Sequence, residues 1–356
     1  MPSTSTMPRV DITLSLVQAA EAVLAILSAD LTPILWGSPG IGKTTIIEEM
    51  IARILDKYGN PRFSRVLTLD AAALADGTVQ GGIPVPNKEK GVTQWLPPDY
   101  FVQQVDDKTL IFLDDIGVLQ ASALAPLLRM IQFGKVGSYT LPKGVRFICA
   151  SNRETENAGA QRLTTALNNR MVHVEVVAHA DEVVTYGLRN DWHMTVPMFL
   201  RFKSDAVSVF DKNSKIFPSP RTWEFISRLM HQLEHNPLPE SIERAMICGT
   251  VGQAYGIEFD AFRKLYKSLP DPDAVLMSPA MAPVPATIDA RYAIIGSLLK
   301  RVAKDTVGPF LTYMERMGII FLIAAMKDLA SINQVLCQTP AYVAACNNPA
   351  VSEALY

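Results

Sequence analysis

An excess of charge of either sign is missing from this chain. Lys and Arg number 33 against 35 Asp and Glu, a net of −2. Binding along a phosphate backbone draws on a clear surplus of cations, so nucleic acid is not the expected main partner, although a local basic patch stays open. Cysteine is scarce: Cys149, Cys248, Cys337 and Cys346 fall into no C-x-x-C or other paired spacing. That argues against a disulfide framework or a zinc knuckle and fits reduced, buried thiols in a cytoplasmic protein. Long apolar runs are also absent. The most apolar, Gly318 to Met326, stops at Lys327, far short of the roughly 20 residues that cross a bilayer. The opening MPSTSTMPRVDITLS has no apolar stretch behind its Arg, so a secretory signal is not expected. Membrane and secreted classes drop out at this stage.

What the chain does have is core-forming material. Hydrophobic residues make up 49% and charged residues 19%, a balance of folded rather than disordered proteins. A length of 356 residues points to two domains, with room for an appendage. Apolar residues recur at helical spacing from Asp11 to Leu27, behind an Asp or Thr cap. LTPILWG then reads as a buried strand, followed by a helix (Thr44 to Lys57), a strand (Arg65 to Leu69) and a Gly/Pro-rich excursion (Gly77 to Pro98). A strand (Thr109 to Asp114), a helix (Ala121 to Phe133) and strands at Val145 to Ala150 and Met171 to Val177 complete the first part. Strands alternating with helices predict an α/β fold, a parallel sheet covered on both faces. After His179 the strand signal ends and helices follow, with a Pro-rich break at SLPDPDAVLMSPAMAPVPATID. The expected division is 1–178 for an αβα core, 179–269 for an all-α domain and 270–356 for a helical C-terminal extension.

GSPGIGKT lies directly after the LTPILW strand and before a helix, and it satisfies G-x-x-x-x-G-K-[ST] at every required position. Gly37, Ser38, Pro39, Gly40, Ile41, Gly42, Lys43, Thr44 and the following Thr45 are the expected nucleotide-binding residues. The glycines let backbone N–H groups curl toward phosphates at a helix N-terminus. Lys43 supplies a point charge, and the Thr44 hydroxyl is placed to ligate Mg²⁺. TLIFLDDI provides the acidic strand end, Asp114 for the metal and Asp115 to orient and deprotonate the attacking water. VRFICASN brings a polar amide, Asn152, to the tip of another strand, where it can hold the same water. Arg170 ends LTTALNNR just before the last strand, and Arg221 opens a helix behind PSP. They are the expected charge-stabilising and lid arginines, with Arg162 and Arg153 as weaker alternatives for the first role.

This order of parts resembles the AAA+ ATPases, P-loop NTPases with an αβα sandwich, and more narrowly their MoxR-type branch, including the MoxR-like proteins of bacterial and phage genomes. LADGTVQGGIPVPNKEKGVTQWLPPDYF stands where the family inserts a hairpin into its second helix, and FGKVGSYTLPKGVRF stands where it has a second hairpin. SNRETENAGAQRLTTALNNRMVHVEV is also similar. The resemblance runs from about Thr13 to Ser268 and more loosely through the tail. It implies ATP and Mg²⁺ as cofactors, a homo-oligomeric and usually hexameric ring, and chaperone-like remodelling of a protein client. A partner bearing a von Willebrand factor A domain is a further implication. By resemblance the sensor role falls on Asn152, the arginine finger on Arg170 and the lid arginine on Arg221. The family has Asp-Glu at the strand end where this chain has Asp114-Asp115. The shorter side chain stands back from the water, and an offset of ~1 Å already slows catalysis heavily, so weak hydrolysis is a second expectation. Ile116-Gly117-Val118 also lack the polar Asn-Arg pair that often follows.

Other signals point elsewhere or nowhere. HQLEH (His231 to His235) matches a zinc-protease spacing, but nothing downstream supplies a third ligand, so a polar helix end is expected. Met314, Met317 and Met326 at helical spacing read as core filling, and Gly318 to Ala325 as core or a partner-docking helix. Trp95 in the first hairpin is either a client contact or packing for its own hairpin. Rival functions are a DNA-associated AAA+ motor or loader, and a structural ring that binds ATP and scarcely hydrolyses it.

Overall fold

The computed structural model describes residues 12–47, 62–70, 74, 81–153, 163–211 and 213–355. The expected helix from Thr44 is described over 43–47, and its remainder and Arg162 lie outside the described residues. The chain divides into two compact units, Met1–Val177 and Ala178–Tyr356.

The strands of the first unit are β1 (Thr13–Leu14), β2 (Thr32–Trp36), β3 (Arg65–Leu69), β4 (Ile83–Asn87), β5 (Val92–Leu96), β6 (Thr109–Leu113), β7 (Lys135–Val136), β8 (Tyr139–Thr140), β9 (Arg146–Ser151) and β10 (Met171–Val176). Six form one sheet in the order β1-β10-β2-β9-β6-β3, with every neighbouring pair parallel. All five residues of β6 are buried, as are Pro33 to Trp36 of β2. Such uninterrupted apolar strands belong to parallel sheets covered on both faces. The predicted α/β class is the observed one.

The chain's entry into the sheet differs from expectation. Asp11 to Leu27 reads as one helix, yet Thr13 and Leu14 pair in parallel with Glu175 and Val176, and the helix runs Leu16–Ser28. Ser15 caps it. Gln18 N donates to Ser15 Oγ at 3.2 Å, and Ser15 N donates to Gln18 Oε1 at 3.0 Å, a capping box that fixes where the helix begins. The β4–β5 and β7–β8 pairs are separate antiparallel two-stranded ribbons. Ile83, Val92, Trp95 and Leu96 of the first are exposed. Ser138 Oγ, in the turn of the second, donates to the Trp95 carbonyl at 2.5 Å. An open groove of about 600 Å³ lies there, lined by Trp95, Pro126, Arg129, Lys135 and Ser138.

Among the described residues, every regular element of the second unit is a helix. Its helix Pro220–His235 shows why: Ser219 caps it, Pro220 occupies its first turn, and Trp223, Ile226, Met230 and Leu233 repeat on one buried face. Phe199 lies within 5.3 Å of the Trp223 ring and 5.3 Å of Phe259, centroid to centroid. One apolar cluster runs from Val183 to Val351, so 179–269 and 270–356 share a core. Met314, Met317 and Met326 are in it. Phe321, Leu322 and Ala325 point inward, while Ile319 and Ile320 are exposed. Buried charges are paired: Arg201 with Asp328 at 2.5 Å and with Asp181, and Arg263 with Glu243 at 2.6 Å and Asp260 at 2.8 Å. His193, also buried, sits between Thr195 Oγ1 and Glu234 Oε1, each 2.7 Å from a ring nitrogen. Within HQLEH, Glu234 is thus engaged with His193, and His231 Nε2 lies 3.0 Å from the Asp191 carbonyl.

All the cysteines are free, but burial is uneven: Cys149 is fully buried, while Cys248, Cys337 and Cys346 are only partly so. Among the described residues no helix is long and apolar enough to cross a membrane.

Candidate nucleotide site

The site is built at the carboxyl ends of three adjacent parallel strands, the place where open α/β sheets bind ligands. The P-loop leaves β2, Asp114 follows β6 and Asn152 follows β9, and β9 lies between β2 and β6. Ser38 and Lys43 are buried and Ile41 anchors the loop in the interior. Gly40 and Gly42 take φ of 77° and 105°, backbone that glycine adopts without strain. The loop thereby turns into the helix that starts at 43–47.

Lys43 Nζ donates to the carbonyls of Gly37 (2.7 Å) and Ser38 (3.1 Å), and to Asn152 Oδ1 (2.9 Å). Asn152 Nδ2 in turn donates to Asp115 Oδ1 at 3.0 Å. Thr44 Oγ1 donates to Asp114 Oδ2 at 3.1 Å, and the Asp115 N–H donates to Asp114 Oδ1 at 3.0 Å. Residues 43, 44, 114, 115 and 152, predicted from separate motifs, therefore form one hydrogen-bonded constellation. Burial, and then the neighbouring charge of Asp115, push the Asp114 carboxyl above its ordinary range. The Thr44 hydroxyl, Lys43 and the Asp115 N–H act against that rise. Thr44 Oγ1 and the Asp114 carboxylate are hard oxygen donors of the kind Mg²⁺ takes beside nucleotide phosphates. A cation there would also offset the crowding of two carboxylates, so these residues fit the metal. Among the described residues no group of three or more His, Cys, Asp or Glu could hold a metal ion.

Asp115 has a left-handed backbone, φ 53° and ψ 36°, uncommon for a residue with a side chain and a mark of a constrained position. The following turn, Ile116–Val118, lies close against β9. A Cβ built on Gly117 would stand 2.2 Å from Ser151 Oγ, so a side chain there requires the Ser151 hydroxyl to turn away. Ser151 is fully buried and its hydroxyl donates to the Asn152 carbonyl at 3.1 Å. Nothing in the sequence pairs Gly117 with Ser151, because they meet only once β6 and β9 are side by side.

Arg170 and Arg153 belong to the same unit as this constellation, and Arg221 to the other. Arg170 is exposed beyond the short helix Thr165–Asn168, and its guanidinium donates to the Ala166 carbonyl at 2.6 Å. Arg153 pairs with Glu175 at 2.8 Å and donates to the Val176 carbonyl at 3.2 Å. Arg221 lies in the first turn of the helix Pro220–His235 in the second unit.

No family model matches the sequence. The chain is 32% identical over 136 residues to the anaerobic nitric oxide reductase transcription regulator NorR of Aeromonas salmonicida, a match to 37% of this chain and 25% of that protein. It is 29% identical over 149 residues to the Nif-specific regulatory protein of Sinorhizobium fredii, covering 40% and 24% respectively. With the chaperone protein ClpB of Blochmanniella floridana it shares 32% over 129 residues, 33% of this chain and 14% of ClpB. The chain thus corresponds to a quarter or less of these relatives. A solved structure of a RuvB mutant from Thermotoga maritima covers 85% of this chain and 85% of its own, at 13% identity and a TM-score of 0.38. These likenesses fall on about a third to two fifths of this chain.

Proposed function

We propose that the protein binds and hydrolyses ATP at the interfaces of a homo-oligomeric, hexameric ring, and that it spends the cycle on remodelling a protein client in the manner of the MoxR-type branch. The observation that carries this reading is the joining of Lys43, Thr44, Asp114, Asp115 and Asn152 by direct hydrogen bonds at one edge of the sheet. In the proposed cycle the loop from Gly37 to Thr45 cradles the phosphates, with Lys43 exchanging Asn152 and backbone carbonyls for phosphate oxygens. Thr44 and Asp114 would hold Mg²⁺, which when bound neutralises charge on the phosphates. Asp115 takes the proton of the attacking water, and the Asn152 amide orients that water beside it. Arg170 of a neighbouring protomer completes the charge stabilisation, and Arg221 couples nucleotide state to the 179–269 segment, acting as the lid, with 270–356 as its extension. The open groove beside Trp95, with Arg129 and Lys135 on its rim, is a candidate client contact. A cytoplasmic location and a von Willebrand factor A domain partner belong to the same proposal.

A Lys43→Ala protein tests it directly. Loss of nucleotide binding and of ATP turnover is expected, and a variant with normal binding and turnover would refute the reading.

The geometry of Asp115 favours one second reading, a ring that holds ATP and hydrolyses it weakly. Its carboxylate is short, set on a left-handed backbone, and already accepts a hydrogen bond from Asn152. Steady-state turnover of the native chain separates the two, since robust hydrolysis rejects the weak ring.

A further inference from the structure

Trp36 is the last residue of β2, immediately before Gly37 of the P-loop. Its indole Nε1 donates to His173 Nδ1 at 2.9 Å, and the two rings lie 8° from parallel with centroids 6.0 Å apart. His173 stands on β10, opposite Ile34 of β2 in the parallel register. The other ring nitrogen, Nε2, lies 3.0 Å from the Asn168 carbonyl. An indole N–H only donates and a carbonyl only accepts, so the imidazole must accept at Nδ1 and donate at Nε2. A neutral ring in the Nε2–H form alone satisfies both ends. Asn168 is the last residue of the helix Thr165–Asn168, and Arg170 lies two residues beyond it.

We propose that His173 is a positioning residue: by accepting from Trp36 and donating to Asn168 it ties the segment that presents Arg170 to the strand that carries the P-loop. This rests on the reading of Arg170 as the arginine that reaches the neighbouring nucleotide. The helix that precedes Arg170 is a single turn of 4 residues, too short to hold itself in place. Leu167 packs it into the interior and fixes its depth, whereas the His173 bond fixes its C-terminal carbonyl against the sheet. Met171, the residue after Arg170, is already in register with Thr32 of β2, so a tilt at Asn168 is taken up at 169 and 170, and an error of ~1 Å at a charge-stabilising group lowers turnover by up to about 10²-fold.

The test compares His173→Phe, which keeps a flat ring but neither hydrogen bond, with His173→Gln, which keeps an acceptor and a donor. Thermal melting first confirms that both fold. His173→Phe is expected to lower kcat about tenfold or more, with KM for ATP and binding of a fluorescent ATP analogue unchanged, and His173→Gln to recover part of the loss. Trp36→Phe should match His173→Phe, and the double variant should be no worse than either alone, because both remove the same link. On an Arg170→Ala background His173→Phe should add no further loss. Unchanged kcat in His173→Phe while Arg170→Ala is crippled overturns the positioning role and leaves the Arg170 reading intact. Full additivity of the Trp36 and His173 variants also overturns it. Native turnover in Arg170→Ala overturns both together.

Discussion

Lys43 and Asp115 are bridged by a single side chain: Asn152 accepts from the Lys43 ammonium at 2.9 Å through Oδ1 and donates to the Asp115 carboxylate at 3.0 Å through Nδ2. An amide is suited to this because it offers an acceptor and a donor on one planar group. A shift of Lys43 is therefore felt at Asp115 without any intervening backbone motion. Asn152→Ala is expected to lower kcat about 100-fold, in the range of an oriented catalytic donor, while ATP binding holds within a few-fold. Nucleotide titration beside steady-state kinetics checks the split, and equal loss of binding and turnover would reject the bridge.

Substitutions at Asp115 measure how far the short carboxylate limits turnover. Asp115→Asn removes the base and is expected to reduce kcat about 10²-fold or more. Asp115→Glu restores the missing methylene and, if reach is limiting, raises kcat above native. A fall with Asp115→Glu would show that the left-handed turn has been fitted to the shorter side chain.

Action of Arg170 across protomers is testable by mixing. Arg170→Ala alone should lose about 10³-fold in turnover, the scale of an arginine finger, and Lys43→Ala alone should be inactive. Mixed protomers contain sites in which an intact P-loop meets an intact Arg170, so activity should reappear on mixing. No recovery in verified mixed assemblies would place the role of Arg170 within its own protomer.

The Arg201–Asp328 pair gives a stability prediction for the second unit. Both side chains are buried and 2.5 Å apart, so Asp328→Ala leaves a guanidinium short of its partner in a low-dielectric site. Arg201 keeps its exposed partner Asp181, so the expected loss is at the low end of about 3–5 kcal/mol, whereas replacing both by apolar residues of similar volume should lose far less. Urea unfolding of Asp328→Ala and of the Arg201→Met, Asp328→Leu double variant provides the comparison.

Burial holds the His193 imidazole below its ordinary value, against the pull of Glu234; Lys300 and His231 act with the burial. The folded chain thus binds this proton less readily than the unfolded chain. Stability from this group is complete above the unfolded value near 6.5 and is lost as pH falls below it. Melting temperature should drop between pH 7 and pH 5.5, and His193→Gln should flatten that part of the curve. A wild-type curve as flat as the variant's would reject the assignment.

Much of the site was legible because its chemistry is written in short local strings. GSPGIGKT, the LDD after an apolar strand and the SN at a strand end each name their residues, and the parallel sheet brings them together. What could not be read is what depends on lateral neighbours. The helix start at Leu16 is not legible because Thr13 and Leu14 follow helical spacing yet pair with β10, a partner more than 150 residues away in sequence. The Trp36–His173 link spans 137 positions, and no periodicity connects an indole before a P-loop with a histidine on a later strand. The shared core of 179–269 and 270–356 is hidden by the Pro-rich break, which holds a short helix, Pro272–Met277, whose Val275 and Leu276 join that core.

The tight approach of Gly117 to Ser151 has a consequence for related sequences. A side chain at position 117 would begin 2.2 Å from the Ser151 hydroxyl, so that hydroxyl must turn away before the position can carry one. Removing the hydroxyl is enough: Ser151 Cβ stands 3.6 Å from the same point, an ordinary contact, so alanine at 151 makes room without any movement of β9. The missing polar pair is then coupled to the hydroxyl at 151, and a side chain restored at 117 should be better tolerated beside Ser151→Ala than beside the native serine.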